Sequence, residues 1–91
     1  MKVDFEYDPN KSAINKEKHG IDFETAKDLW LDPRALVVPA INSGEPRFAR
    51  IGKLKGKLWC AIYVRRQNKI RLVSARRAHN KEEREYEDPN R

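Results

Sequence analysis

Apolar and polar positions divide the chain into a first half of mixed pattern and a second half of strand-like alternation. Lys2 to Tyr7 alternates loosely, with Val3, Phe5 and Tyr7 set against Asp4 and Glu6, and predicts a short first strand that Asp8-Pro9 ends. Pro9 to Lys18 holds helix formers with few apolar positions, Ala13 and Ile14 among them. A proline in the first helical turn is tolerated because its missing N–H would have no partner there. Gly20 is the stop. Asp22 then caps a second helix in which Phe23, Ala26, Leu29 and Trp30 recur at helical spacing, and Asp32-Pro33 closes it. Ala35 to Val38 predicts a strand that ends at Pro39, with a turn at Asn42-Ser43-Gly44.

Three strands follow, Arg47 to Leu54, Leu58 to Arg66 and Lys69 to Arg77, separated by Lys55-Gly56-Lys57 and by Gln67-Asn68, spacings suited to tight hairpins. Asn80 can cap a final helix through Tyr86, with Glu82 and Glu83 in its first turns where the helix dipole favours carboxylates. The order predicts an α+β domain: a small antiparallel sheet, two early helices on one face and a short C-terminal helix. With 91 residues the chain is expected to be a single domain, 1–91, since two separate cores would be too small to fold.

Alternation also assigns faces. In the last strand Arg71, Val73, Ala75 and Arg77 are expected on one face, and Ile70, Leu72, Ser74 and Arg76 on the other. In the strand before it, Leu58, Cys60, Ile62, Val64 and Arg66 oppose Trp59, Ala61, Tyr63 and Arg65. Each face has an apolar middle and ends in arginine, which makes a basic rim. Trp59 reads as core; Tyr63 reads equally as core or as a stacking surface for unpaired bases.

Charge sharpens this picture. Apolar residues are 38% and charged residues 37% of the chain, so a thin core lies under a heavily charged surface, and the net charge is +6. The segment from Pro46 to Arg77 holds eleven basic residues and no Asp or Glu, which leaves −5 for the remainder. Like charges without counter-charges repel one another, a cost that makes sense when the neighbour is a polyanion. The single cysteine, Cys60, lies in the run LWCAIYV and reads as a small core residue of a reducing compartment rather than a reactive thiol. Neither Ala35 to Ile41 nor Leu58 to Val64 approaches the ~20 residues of a membrane helix, and MKVDFEYD lacks the apolar core of a signal peptide. The expected location is the cytoplasm.

Taken together, FEYDPNKSAINKEKHGIDFETA near the start, EPRFARIG in the middle, and KIRLVSARRA followed by Glu82 and Tyr86 resemble the BrnT family of toxins, relatives in fold of the RelE ribonucleases. The resemblance runs over nearly the whole chain. It implies a type II toxin that cleaves RNA and inhibits growth. It also implies a DNA-binding antitoxin of ribbon-helix-helix type, BrnA-like and encoded by an adjacent gene, that covers the active face and represses the shared operon. Glu83 departs from the family pattern, which has a basic residue there, and this bears on substrate contacts.

RNA cleavage without metal needs the 2′-OH deprotonated, the phosphorane's added charge stabilised and the leaving 5′-oxygen protonated. Neither His19 nor His79 has carboxylate or cysteine companions at ligand spacing, so no metal or other cofactor is expected. His19 is the best acid/base candidate because imidazole titrates nearest neutrality, although a helix-terminal histidine favouring the dipole explains it equally. His79 belongs rather to the cap of the final helix.

Arg47, Arg71 and Arg76 are the candidates for phosphate and transition-state contacts, since guanidinium holds phosphate bidentately and stays charged. Glu45, next to the basic block, either orients Arg47 as its ion-pair partner or acts as general base, the ion pair being favoured. Ser74 is a further candidate for phosphate, although a strand serine is more commonly satisfied by its neighbours. Lys16, Lys18, Arg50, Tyr63, Arg65 and Arg77 complete the expected RNA-binding set. A non-catalytic nucleic-acid-binding module, or a protein whose basic face only holds an acidic partner, would share this composition.

Overall fold

The computed structural model describes residues 3–40 and 44–91. In chain order the elements are β1 (Asp4–Glu6), α1 (Pro9–His19), α2 (Phe23–Ala26) running into a 3₁₀ helix (Lys27–Leu31), β2 (Leu36–Ala40), β3 (Arg47–Leu54), β4 (Lys57–Arg66), β5 (Lys69–Arg77) and α3 (Asn80–Tyr86). The strands form one sheet in the order β1-β5-β4-β3-β2. The expected α+β class is found, with one correction: β1 pairs with β5 in parallel, and only the other three pairings are antiparallel.

Local signals account for most boundaries. The Asp8 side chain accepts the Asn10 N–H at 2.8 Å to start α1, and Gly20, at φ 78°, ends it in the left-handed conformation that costs glycine least. Asp22 accepts the Thr25 N–H at 2.8 Å, as its capping role requires. The second helix, expected to continue to Trp30, instead tightens to 3₁₀ geometry after Ala26. Its end is tied down by Asp32, whose carboxylate accepts from the Lys53 N–H (2.8 Å) and the Tyr86 hydroxyl (2.7 Å). Burial pushes the Asp32 carboxyl up, but these donors, the Arg34 N–H and nearby Arg50 outweigh it and hold the pKa below the ordinary value.

Other boundaries depart from the local reading. β2 runs through Pro39 to Ala40 instead of stopping, which an edge strand allows because one side of its ladder is open. Leu54 pairs with Lys57, so the β3–β4 turn is only Lys55-Gly56, and β4 starts one residue before Leu58. Of the two residues expected in the cap of α3, His79 is the N-cap and Asn80 the first helical residue. Met1, Lys2 and the 41–43 segment lie outside the described residues; so do the Lys2 end of the first strand, Ile41 of the apolar run and most of the Asn42-Ser43-Gly44 turn.

Two apolar clusters sandwich the sheet. On one face Ile21, Phe23, Ala26 and Leu29 pack on Ala61, Tyr63, Leu72 and Ala75. On the other, Ala49, Ile51, Leu58 and Cys60 are closed over by Tyr86 of α3. α1 lies against β5, where the buried Asn15 side chain exchanges hydrogen bonds with the backbone of Ala75, donating at 2.8 Å and accepting at 3.2 Å. Beyond the three residues that β1 pairs, Asn15 thus supplies what a neighbouring strand would.

The central irregularity lies in β5. Ile62 pairs with Ser74 and Tyr63 with Leu72, so Val73 has no partner and forms a β-bulge. One extra residue reverses the alternation on its N-terminal side. Leu72 (2% exposed) and Ala75 (fully buried) therefore share the helix-covered face, which an uninterrupted strand forbids. The faces expected for this strand are corrected accordingly: Arg71 leaves the company of Ala75 and Arg77 and joins Ser74 and Arg76.

Candidate active site

The bulge brings Arg71, Ser74 and Arg76 onto the face that the early helices leave open. By register, Ile62, Val64 and Arg66 of β4 and Arg47 and Ala49 of β3 lie on the same face, with Lys69 at the start of β5. α3 closes one end of this face through Tyr86. The remainder is a shallow apolar floor, in which Ala49 and Val64 are buried, ringed by long cationic side chains.

Each arginine is held differently. Arg76 makes a bidentate pair with Glu82, at 2.8 and 3.0 Å, and Glu82 also accepts the His79 N–H at 2.8 Å. The hydrogen bonds from Arg76 overcome the desolvation of Glu82 and lower its pKa to about 2; the same bonds raise that of Arg76. Beneath this pair, burial pushes the Cys60 thiol up to about 11, so the reading of Cys60 as an unreactive core residue agrees with its site.

Arg71 pairs with Glu6 of β1 at 2.8 Å, a short strand whose parallel register sets the carboxylate beside it. Glu45 pairs with Arg66 at 3.0 Å and not, as expected, with Arg47. The Arg47 Nε is buried without a hydrogen-bond partner among the described residues, a donor that an incoming anion would satisfy.

His19 is exposed in the last turn of α1. With Lys11, Ile14, Asn15 and Lys18 it lines a cleft of about 200 Å³ whose far wall is Val73 and Ser74. The bulge thus sits between the arginine face and the histidine. His19 and Lys18 border the site at Ser74 rather than standing within it.

The remaining candidates lie elsewhere. Arg50 donates from Nε to the Leu29 carbonyl at 3.1 Å and stacks 5.0 Å over Trp30. Arg65 stacks 5.1 Å over Phe48, and Arg77 5.4 Å over Trp59. All three belong by register to the helix-covered face, opposite Arg71 and Arg76. Tyr63, 1% exposed between Trp30 and Phe48, has no free ring face, which corrects its reading as a stacking surface. Lys16 borders a separate cleft on the helix side.

Sequence reasoning did not select Arg66 and Lys69 for this face, nor Glu6 and Glu82 as holders of Arg71 and Arg76. Arg66 was legible from alternation with Ile62 and Val64; Glu6 was not, because nothing local announces a parallel partner. Among the described residues no group of three or more His, Cys, Asp or Glu is placed to hold a metal ion, and no helix is long and apolar enough to cross a membrane.

The family model of the ribonuclease toxin BrnT, of type II toxin–antitoxin systems, matches residues 7–82, a span that runs from before α1 to Glu82 and includes every arginine of the open face. No curated relative matches the chain.

Proposed function

Because the chain belongs to the BrnT family of ribonuclease toxins of type II toxin–antitoxin systems, we propose that it is a metal-independent endoribonuclease acting on the open arginine face. The observation that carries this reading is the bulge at Val73, through which Arg71 and Arg76 stand on one face with Ser74 between them. Guanidinium groups so held by a sheet can meet the non-bridging oxygens of one phosphate and stabilise the charge that grows on it. The substrate's 2′-oxygen attacks the adjacent phosphorus while a base takes its proton. The bond to the 5′-oxygen breaks, and an acid protonates that oxygen. The products are a 2′,3′-cyclic phosphate and a 5′-hydroxyl. His19, at the border by Ser74, is the acid/base group of this reading. Arg47 and Arg66 anchor the neighbouring phosphates, with Glu45 holding Arg66 in place.

In this reading the protein works in the cytoplasm and takes a RelE-like arrangement. A ribbon-helix-helix antitoxin from an adjacent gene covers the arginine face, and operator DNA is met only through that partner. The test is incubation of purified protein with single-stranded RNA in excess EDTA, followed by end-group analysis. Cleavage with cyclic phosphate ends is expected. Activity abolished by chelation and restored by magnesium would overturn the mechanism.

A further inference from the structure

A second basic cleft lies on the other side of the sheet, between the end of α1 and the β3–β4 turn. It encloses about 250 Å³ and is lined by Lys16, Lys55 and Lys57, with Trp59, Ile21 and Leu54 among its apolar walls. Among the described residues none of these three lysines has a carboxylate within ion-pair distance. Asp22 is near enough to Lys16 to feel its charge, but its carboxylate caps α2 through the Thr25 N–H. Trp59, expected to be core, is half-buried: it packs on the core and also lines the cleft, with the Arg77 guanidinium over its ring.

The turn itself adds an independent observation. Lys55 holds φ 53°, a left-handed conformation that hairpin turns normally give to Asn, Asp or Gly. Lysine is less favourable there than glycine, and among the described residues it makes no ion pair in return. Gln67 in the other tight turn holds φ 54° in the same way, so the conformation belongs to the hairpins; what sets this turn apart is that its residue is a cation beside a tryptophan and two more lysines. The last turn of α1 joins this cleft to the proposed active face, since Lys18 and His19 line the cleft at Ser74 while Lys16 and Gly20 line this one.

We propose that this cleft is a nucleotide subsite for RNA flanking the cleaved phosphate, with Lys16, Lys55 and Lys57 on the backbone and Trp59 against a base. It rests on the RNA-cleaving reading above, and it extends the substrate path around the end of α1 to the opposite face of the sheet. Lysine charges beside a partly exposed indole suit a single strand, in which each nucleotide offers an anion and a ring face. An acidic polypeptide would use the charges but bring no base ring to the indole.

The experiment uses a single-stranded RNA of about ten nucleotides carrying 2′-O-methyl groups, which binds but cannot be cleaved by 2′-OH attack. Fluorescence is followed in Trp30→Phe protein, where Trp59 is the sole indole, beside the anisotropy of labelled RNA. Saturable quenching of Trp59 in step with binding is expected. The Lys55→Gln/Lys57→Gln pair should weaken binding about tenfold and make the log–log salt slope shallower by about 1.4, two contacts' worth. Should Trp30→Phe fail to fold, photocrosslinking of 5-iodouridine RNA to the unaltered protein, mapped by mass spectrometry, takes its place, with the crosslink expected at Trp59. Binding that leaves Trp59 fluorescence unmoved, or crosslinks only elsewhere, with unchanged affinity in the double variant, would overturn the subsite; that includes the case where the lysines serve only an acidic protein. Quenching in a protein that never cleaves unmodified RNA would keep the subsite and reject the ribonuclease reading.

Discussion

Arg71 and Arg76 stand on the same face of β5 although they are an odd number of residues apart, because Val73 between them is unpaired. Sheet geometry alone would have separated them. The bulge therefore assembles two arginines on one face, and each member arrives with its own carboxylate, Glu6 or Glu82.

Replacing either arginine should damage chemistry more than binding. A preorganised donor at a developing phosphorane acts in the transition state, so Arg71→Ala and Arg76→Ala should each slow single-turnover cleavage ~10²-fold while RNA affinity falls little. Arg76→Lys keeps a charge for Glu82 but loses the fork, and should remain folded yet slow by ~10-fold or more. Circular dichroism accompanies the kinetics. Parent-rate cleavage by folded Arg76→Ala would remove Arg76 from the site.

Asn15 should matter to stability far more than a helical asparagine usually does. Its amide donates to the carbonyls of Ile21 (2.7 Å) and Ala75 (2.8 Å), and its oxygen accepts the Ala75 N–H. Asn15→Leu strands a buried backbone donor and two acceptors, with an expected loss of roughly 2–4 kcal/mol in urea unfolding. A loss below ~0.5 kcal/mol would show that water replaces the side chain.

Much of this architecture was readable from short-range pattern. Asp8, Gly20 and Asp22 announce the helix ends through their own chemistry, and the three late strands are marked by alternation and by turns at Lys55-Gly56 and Gln67-Asn68. The candidate site was harder to read. Val73 is an ordinary strand residue, so nothing at that position signals that pairing skips it, and one unsignalled residue reversed the faces assigned to Arg71. The placement of Arg50 and Arg65 was hidden for a related reason: charge was visible in the chain, but the aromatic rings that hold these arginines on the helix side come from distant segments or across a strand pair.

Cys60 should be inert in the folded protein. Burial raises its pKa to about 11, so at neutral pH almost no thiolate is present, and no exposed sulfur is available to attack. Iodoacetamide should label it only as fast as the chain unfolds, and urea should raise the rate sharply. Native-state labelling at the speed of a free thiol would contradict this environment.

The Arg76–Glu82 pair should give the protein a specific acid sensitivity. Glu82 titrates near 2 when folded, against 4.5 ordinarily, because Arg76 and the His79 N–H bind its charged form. A carboxylate with a depressed pKa stabilises the fold fully above its ordinary pKa, and that stability is lost as pH falls toward the folded value. The contribution is on the order of 3 kcal/mol at neutral pH. Other carboxylates with lowered values, Asp22 and Asp32 among them, also lose stabilising charge as pH falls, so the unaltered protein alone cannot isolate it. Comparison with Glu82→Gln can, because glutamine keeps the shape and one acceptor but never ionises. Urea unfolding at pH 7 should show the variant clearly less stable; the gap should narrow below pH 4.5 and shrink to roughly a quarter by about pH 2.5. A gap that stays constant across this range would mean that Glu82 holds Arg76 by shape and hydrogen bonding rather than by charge.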